Sequence, residues 1–153
     1  MKVDELFEAP QHTFPTEFGL DQDDTNTKLA KEWLADKRKR PLEQLGGGQY
    51  TLYELPRAFI LVDHDDQHNP KLVYAMQYKL AFHRFIGRQC AQQIAVWKDP
   101  TALITRGMAT HIFGDHLLST YKTVITDSMQ TPDGQRFWDE RIAEALSTGL
   151  YVY

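Results

Sequence analysis

The spacing of apolar residues changes several times along the chain, and each change predicts a different element. Leu29, Ala30, Trp33 and Leu34 recur at i, i+1, i+4 and i+5, which predicts a helix over residues 26–40. Asp24 or Thr25 would cap its start and Pro41 would stop it. From residue 50 the pattern is extended: Tyr50–Leu55, then Ala58–Asp63, then a long strand over 72–84 and another over 89–97. The segment 64–70 is dense in turn formers, and 85–88 makes the next turn. The middle of the chain thus reads as an antiparallel meander of three or four strands.

Helical spacing returns after Pro100. Met108, Ile112, Phe113, Leu117 and Leu118 predict a helix over 105–119, and 122–127 is a short β-branched strand. Pro132 opens a last helix to about Ser147, with Phe137, Trp138, Ile142, Ala145 and Leu146 on its apolar face. Gly149 suits the position just past its end, and residues 150–153 read as a closing strand with an edge to offer a second copy or a seventh strand. The fold class is α+β, a highly twisted mixed sheet flanked by three helices. Residues 1–25 hold Pro10, Pro15, Gly19 and a cluster of Asp21, Asp23 and Asp24, and they read as an N-terminal arm before one domain over 26–153.

Composition narrows the classes. The chain has 153 residues, one cysteine, 17 Lys+Arg and 21 Asp+Glu, for a net charge of −4. A lone Cys90 forms no bridge within the chain, which excludes a disulfide-stapled scaffold and suits a reducing, cytoplasmic setting; Cys90 reads as a buried structural thiol. No run reaches the ~18 apolar residues of a membrane helix, and the acidic N-terminal stretch lacks the pattern of a secretory signal. The net charge weighs against nucleic acid as a general partner, while the basic run at 37–40 reads as a solvated helix end or as a phosphate or RNA contact.

Several residue groups bear on chemistry. Arg106, Gly107, Met108, Ala109 and Thr110 open a helix directly after the meander, where backbone N–H groups would face a bound phosphate and Arg106 would add charge. The plain alternative is an ordinary loop-to-helix junction. His111 follows in the first turn, where a histidine is kept neutral and can accept a proton. Asp127 and Gln130 lie at the end of a strand beside a helix start, where ligands commonly bind; the alternative for Asp127 is capping. Four further groupings read mainly as structure. His64 and His68 fall in a turn rather than on a helix, and His111 and His116 would stand about 140° apart on an α-helix, so no metal site is expected. Tyr74, Met76 and Tyr78 share a strand face that reads either as packed on a helix or as a stacking platform. Gly46, Gly47 and Gly48 form a breaker, not a phosphate loop.

The order of elements resembles the GNAT family of N-acetyltransferases. In that family the fourth strand leads into a helix whose first turn wraps the pyrophosphate of acetyl-CoA. Arg106 to His111 stand at that place, with Arg106 kept, Ala109 in place of the first glycine and His111 in place of the final small residue. Residues 124–138, with Asp127, Gln130, Thr131, Gly134, Arg136 and Trp138, resemble the fifth strand and fourth helix of GNAT-like proteins of tailed bacteriophages and prophages. The resemblance covers roughly residues 50–153. It implies an acyl-CoA-dependent N-acyltransferase acting on an amine in the host cytoplasm, with acetyl-CoA as cofactor. Gln92, Gln93, Phe137 and Trp138 stand where the family often has its acid and base, so His111 and Asp127 are the leading stand-ins, with His83 and Tyr121 behind them. The rival reading keeps the fold as a binding module that grips a host or phage macromolecule. A third, an acyltransferase on aminoacyl-tRNA, would use 37–40 against the net charge.

Overall fold

The fold, taken from a computed structural model, is described for residues 23–126, 132–150 and 152. It is α+β, with a six-stranded, mixed, curled sheet and three helices. Of the expected arm, residues 1–22 lie outside the described residues, and 23–25 already belong to the first helix, α1 (Asp23–Leu34).

The helix α1 is six residues shorter at its end than the apolar pattern and Pro41 suggest. Its stop is local: Asp36 accepts the backbone N–H of Arg38 at 2.8 Å and its Nε at 3.1 Å, a turn that competes with helix. The basic run 37–40 is therefore a turn, and its last member, Arg40, opens a strand. That strand, β1 (Arg40–Leu45), was not expected from its polar sequence. Pro41 has no N–H to give, and it is tolerated because β1 lies at the sheet edge and is bulged between Pro41 and Glu43. Arg40 forms an ion pair with Glu54 on β2 (Tyr50–Leu55). Between them, Gly46, Gly47 and Gly48 take φ of 58°, 70° and 98°, conformations that L side chains rarely adopt.

The meander continues through β3 (Ala58–Asp63), β4 (Lys71–His83) and β5 (Arg88–Lys98), all antiparallel, so it has five strands rather than three or four. The next helix, α2, starts at Met108–His111, widens into π-helix over Ile112–Leu118 and closes on Ser119–Tyr121. Lys122 ends it with φ 61°. The strand expected over 122–127 is β6 (Val124–Ile125), which pairs parallel with Ala91 and Gln92 of β5. The last helix is α3 (Pro132–Ser147). Gly149 takes φ 78° past its end, as expected, and the Leu150 N–H donates to the Ala145 carbonyl at 2.9 Å. Leu150 is thus spent on capping α3. Leu150 and Val152 lie in no strand, and residues 151 and 153 fall outside the described residues.

Both faces of the sheet are covered. On one, α1 brings Ala30 against Leu55, Ala58, Ile60, Val62, Leu72 and Ala75. On the other, Met108, Ile112 and Leu117 of α2 pack on Leu52, Phe59, Leu61, Tyr74, Met76 and Tyr78. Tyr74, Met76 and Tyr78 are thus a packed face and not a stacking platform. The curl brings both sheet edges to this helix: Leu42 and Leu45 of β1 and Val124 of β6 join the same cluster. The third helix docks through buried Trp138, which with Phe137 meets Phe113 of α2 edge to face.

Candidate functional site

The junction between β5 and α2 is built by a short hydrogen-bonded bridge. Buried Asp99 accepts the Thr101 N–H at 2.9 Å and its hydroxyl at 2.6 Å. Buried Thr105 donates its hydroxyl to the Ala102 carbonyl at 2.8 Å. This delivers Arg106, exposed and extended, to Gly107, whose φ of 76° favours glycine. Gly107 is the N-cap of α2, and no side chain caps that helix start. Orphan amides at an uncapped helix start favour an anion. Of the residues expected to hold a cofactor, Arg106, Gly107 and Thr110 are exposed and Ala109 is half-buried. Met108 departs from the expectation: its side chain is core, so only its backbone could serve a ligand there.

His111 does not stand alone at this helix start. Its Nε2 hydrogen-bonds Glu43 Oε1 on β1, and its Nδ1 lies 2.8 Å from Asp115 Oδ2. The hydrogen bond to Glu43 raises the His111 pKa above the ordinary histidine value, against partial burial, and Asp115 adds to the rise. The two carboxylates thus work against the neutral form expected of a histidine at a helix start. β1 and β6 are the opposite edge strands, so His111 is tied to the edge away from the parallel pair. Asp127 lies outside the described residues.

The π-helical stretch supplies a second correction. Its i→i+5 repeat returns His116 to the face of His111, where an α-helix would separate them by about 140°. The two rings lie 5.6 Å apart, edge to face. His116 Nε2 is 3.6 Å from Glu43 Oε1 and is a buried nitrogen with no hydrogen-bond partner. The His116 ring also lies 5.6 Å from Phe59 of β3. One ligand atom from each of Glu43, His111 and His116 falls within 4.8 Å of the others.

No family model, curated protein or solved structure matches this chain.

The remaining candidates are dispersed. Tyr121 shares a 3.2 Å hydrogen bond with Tyr78, so its hydroxyl is engaged inside the α2–sheet interface. His83 sits near the β4–β5 turn beside Phe85. His64 is bonded to the Tyr53 hydroxyl at 3.2 Å, while Asp66 accepts the His68 N–H at 2.9 Å, which makes 64–70 a capped turn. Cys90 is fully buried, as expected of a structural thiol. On β5, Gln92 is paired with Ile125, and Gln93 has a buried side-chain oxygen with no partner. Sequence reasoning missed Glu43. Its only local signal is a carboxylate within a polar stretch, and its partner lies 68 residues away.

Proposed function

We propose that the protein is a GNAT-like protein of the phage type that binds acyl-CoA and transfers the acyl group to an amine in the host cytoplasm. The observation that carries this reading is the strand order. An antiparallel meander ends in β5, α2 follows, and β6 returns parallel to β5 over only Ala91 and Gln92. A parallel pair joined for so short a length leaves the end of β5 without a strand on that side among the described residues, and α/β folds bind ligands at such places. In this reading the uncapped amides at the start of α2 hold the pyrophosphate, Arg106 adds its charge, and Met108 contributes backbone alone. His111 takes the amine proton only as a neutral imidazole, so turnover should rise with pH through its raised pKa. Asp127, two positions past β6 in the chain, is the second proton acceptor of the proposal.

The test is a melt with acetyl-CoA, CoA and longer acyl-CoAs, followed by mass spectrometry of polyamine and peptide acceptors. A ligand at 100 times its Kd stabilises by about 2.7 kcal/mol. Arg106→Ala should weaken binding by about tenfold or more, the worth of one charged hydrogen bond. A second reading, a GNAT-fold module that grips a host or phage macromolecule without acyl-CoA, is favoured by one observation: His111 is already held by Glu43 and Asp115. Absence of any shift with every acyl-CoA selects that reading.

A further inference from the structure

Glu43, His111 and His116 form the one cluster of three potential metal ligands found among the described residues. The donor set, two imidazole nitrogens and a carboxylate oxygen, is the set that divalent first-row transition metals prefer over magnesium or calcium. The ligands come from separate places: Glu43 from edge strand β1, the two histidines from one face of α2. Three features go beyond proximity. The π-helical stretch is what puts both histidines on that face, and such stretches concentrate at functional sites. Asp115 sits 2.8 Å from His111 Nδ1, which is the carboxylate–histidine arrangement that fixes the ring and leaves Nε2 for a metal. His116 Nε2 points toward the same Glu43 oxygen, is buried and has no hydrogen bond, an unmet need that an ion would satisfy.

We propose that Glu43, His111 and His116 bind a single divalent transition-metal ion of the zinc class, clamping β1 to α2. Zinc sits about 2.0–2.2 Å from nitrogen and carboxylate ligands, so tetrahedral neighbours stand roughly 3.3–3.6 Å apart. The 3.6 Å between His116 and Glu43 already matches that span, and the His111–Glu43 hydrogen bond opens to admit the ion. Three protein ligands leave a fourth position, and side-chain exposures of 32%, 31% and 22% for His111, Glu43 and His116 give it a path to solvent. Asp115, 66% exposed, orients His111 from outside and is a positioning residue.

The test is calorimetric titration of chelator-stripped protein with zinc and, separately, magnesium, with cobalt substitution read by visible absorption. Expected are one zinc per chain, binding at least ~100-fold tighter than magnesium, and cobalt bands of low coordination number. Glu43→Gln and His116→Gln should each weaken zinc at least ~100-fold, Asp115→Asn by about 10–100-fold. His68→Gln, in the exposed 64–70 turn, should leave affinity unchanged. Ring-proton NMR should show His111 and His116 shifted by zinc and His64 and His68 unmoved. No saturable binding, unchanged affinity in Glu43→Gln, or loss in His68→Gln would overturn the proposal. Should His116→Gln fail to fold, Glu43→Gln on the edge strand decides alone. No acyl-CoA enters these titrations, so their failure is distinguishable from that of the acyl-CoA melt; zinc on His111 would leave Asp127 as the proton acceptor of the acyltransferase reading.

Discussion

One carboxylate oxygen of Glu43 faces two imidazole nitrogens, and the consequences are electrostatic. The His111 pKa is raised in the folded protein. A raised histidine pKa contributes stability that is fully present below the unfolded value of about 6.5 and is lost as pH rises through the folded value. Glu43→Gln removes the main cause of the rise while keeping the shape. In metal-free protein, the variant should therefore lose more stability at about pH 6 than at about pH 9, by about 1 kcal/mol or less given the partial exposure of both side chains. Urea unfolding at the two pH values measures the difference. An equal loss at both would assign Glu43 a packing role instead. Nothing in the local sequence around Glu43 announced this pairing, because it depends on an edge strand and a helix that come together across the fold.

At the scale of elements, α2 shows where pattern reading succeeds and where it stops. Met108, Ile112 and Leu117 identify a helix and its buried face correctly, since apolar spacing tolerates a local widening. The widening itself carries no signal in the spacing, so α-helical geometry separates His111 and His116 where the π-helical stretch brings them together. Gly114 lies in the widened stretch with no positive φ, and a Cβ added there meets nothing within 4 Å. Gly114→Ala should then stabilise by about 0.5–1 kcal/mol through the unfolded state, as read by thermal melting. A loss instead would show that the π-helical turn depends on glycine's freedom. The last helix was legible for a different reason: Pro132 and Gly149 mark its ends, and Trp138 marks its buried face. Trp138 is 5% exposed and packs on Phe113. Trp138→Ala should cost about 3–5 kcal/mol in urea unfolding.

For the whole molecule, legibility follows burial. The run Ala58–Val62 reads as extended, and it is buried at every position because α1 and α2 cover the two faces of the sheet. β1 was illegible because an edge strand with Pro41 and three polar or charged residues carries no apolar alternation. β6 was read too long because β-branched residues mark extended backbone, not pairing. Between the sheet and α2, Tyr74 and Tyr78 are nearly inaccessible. Burial pushes both phenols well above the ordinary value near 10, and for Tyr78 the hydrogen bond to Tyr121 adds to the rise. The folded state thus favours the neutral form. That advantage is complete below the unfolded pKa of about 10 and is lost as pH rises above it, each buried tyrosine contributing a slope of about 1.4 kcal/mol per pH unit. Alkaline titration should show a cooperative rise in tyrosinate absorbance that coincides with loss of far-ultraviolet ellipticity. The Tyr74 hydroxyl is buried without a hydrogen-bond partner, so Tyr74→Phe discards an unmet polar group and one titrating phenol together. The variant should match or exceed the parent in stability at neutral pH and should lose about 1.4 kcal/mol per pH unit of the alkaline slope. An unchanged slope would mean that Tyr74 already reaches solvent before the fold opens.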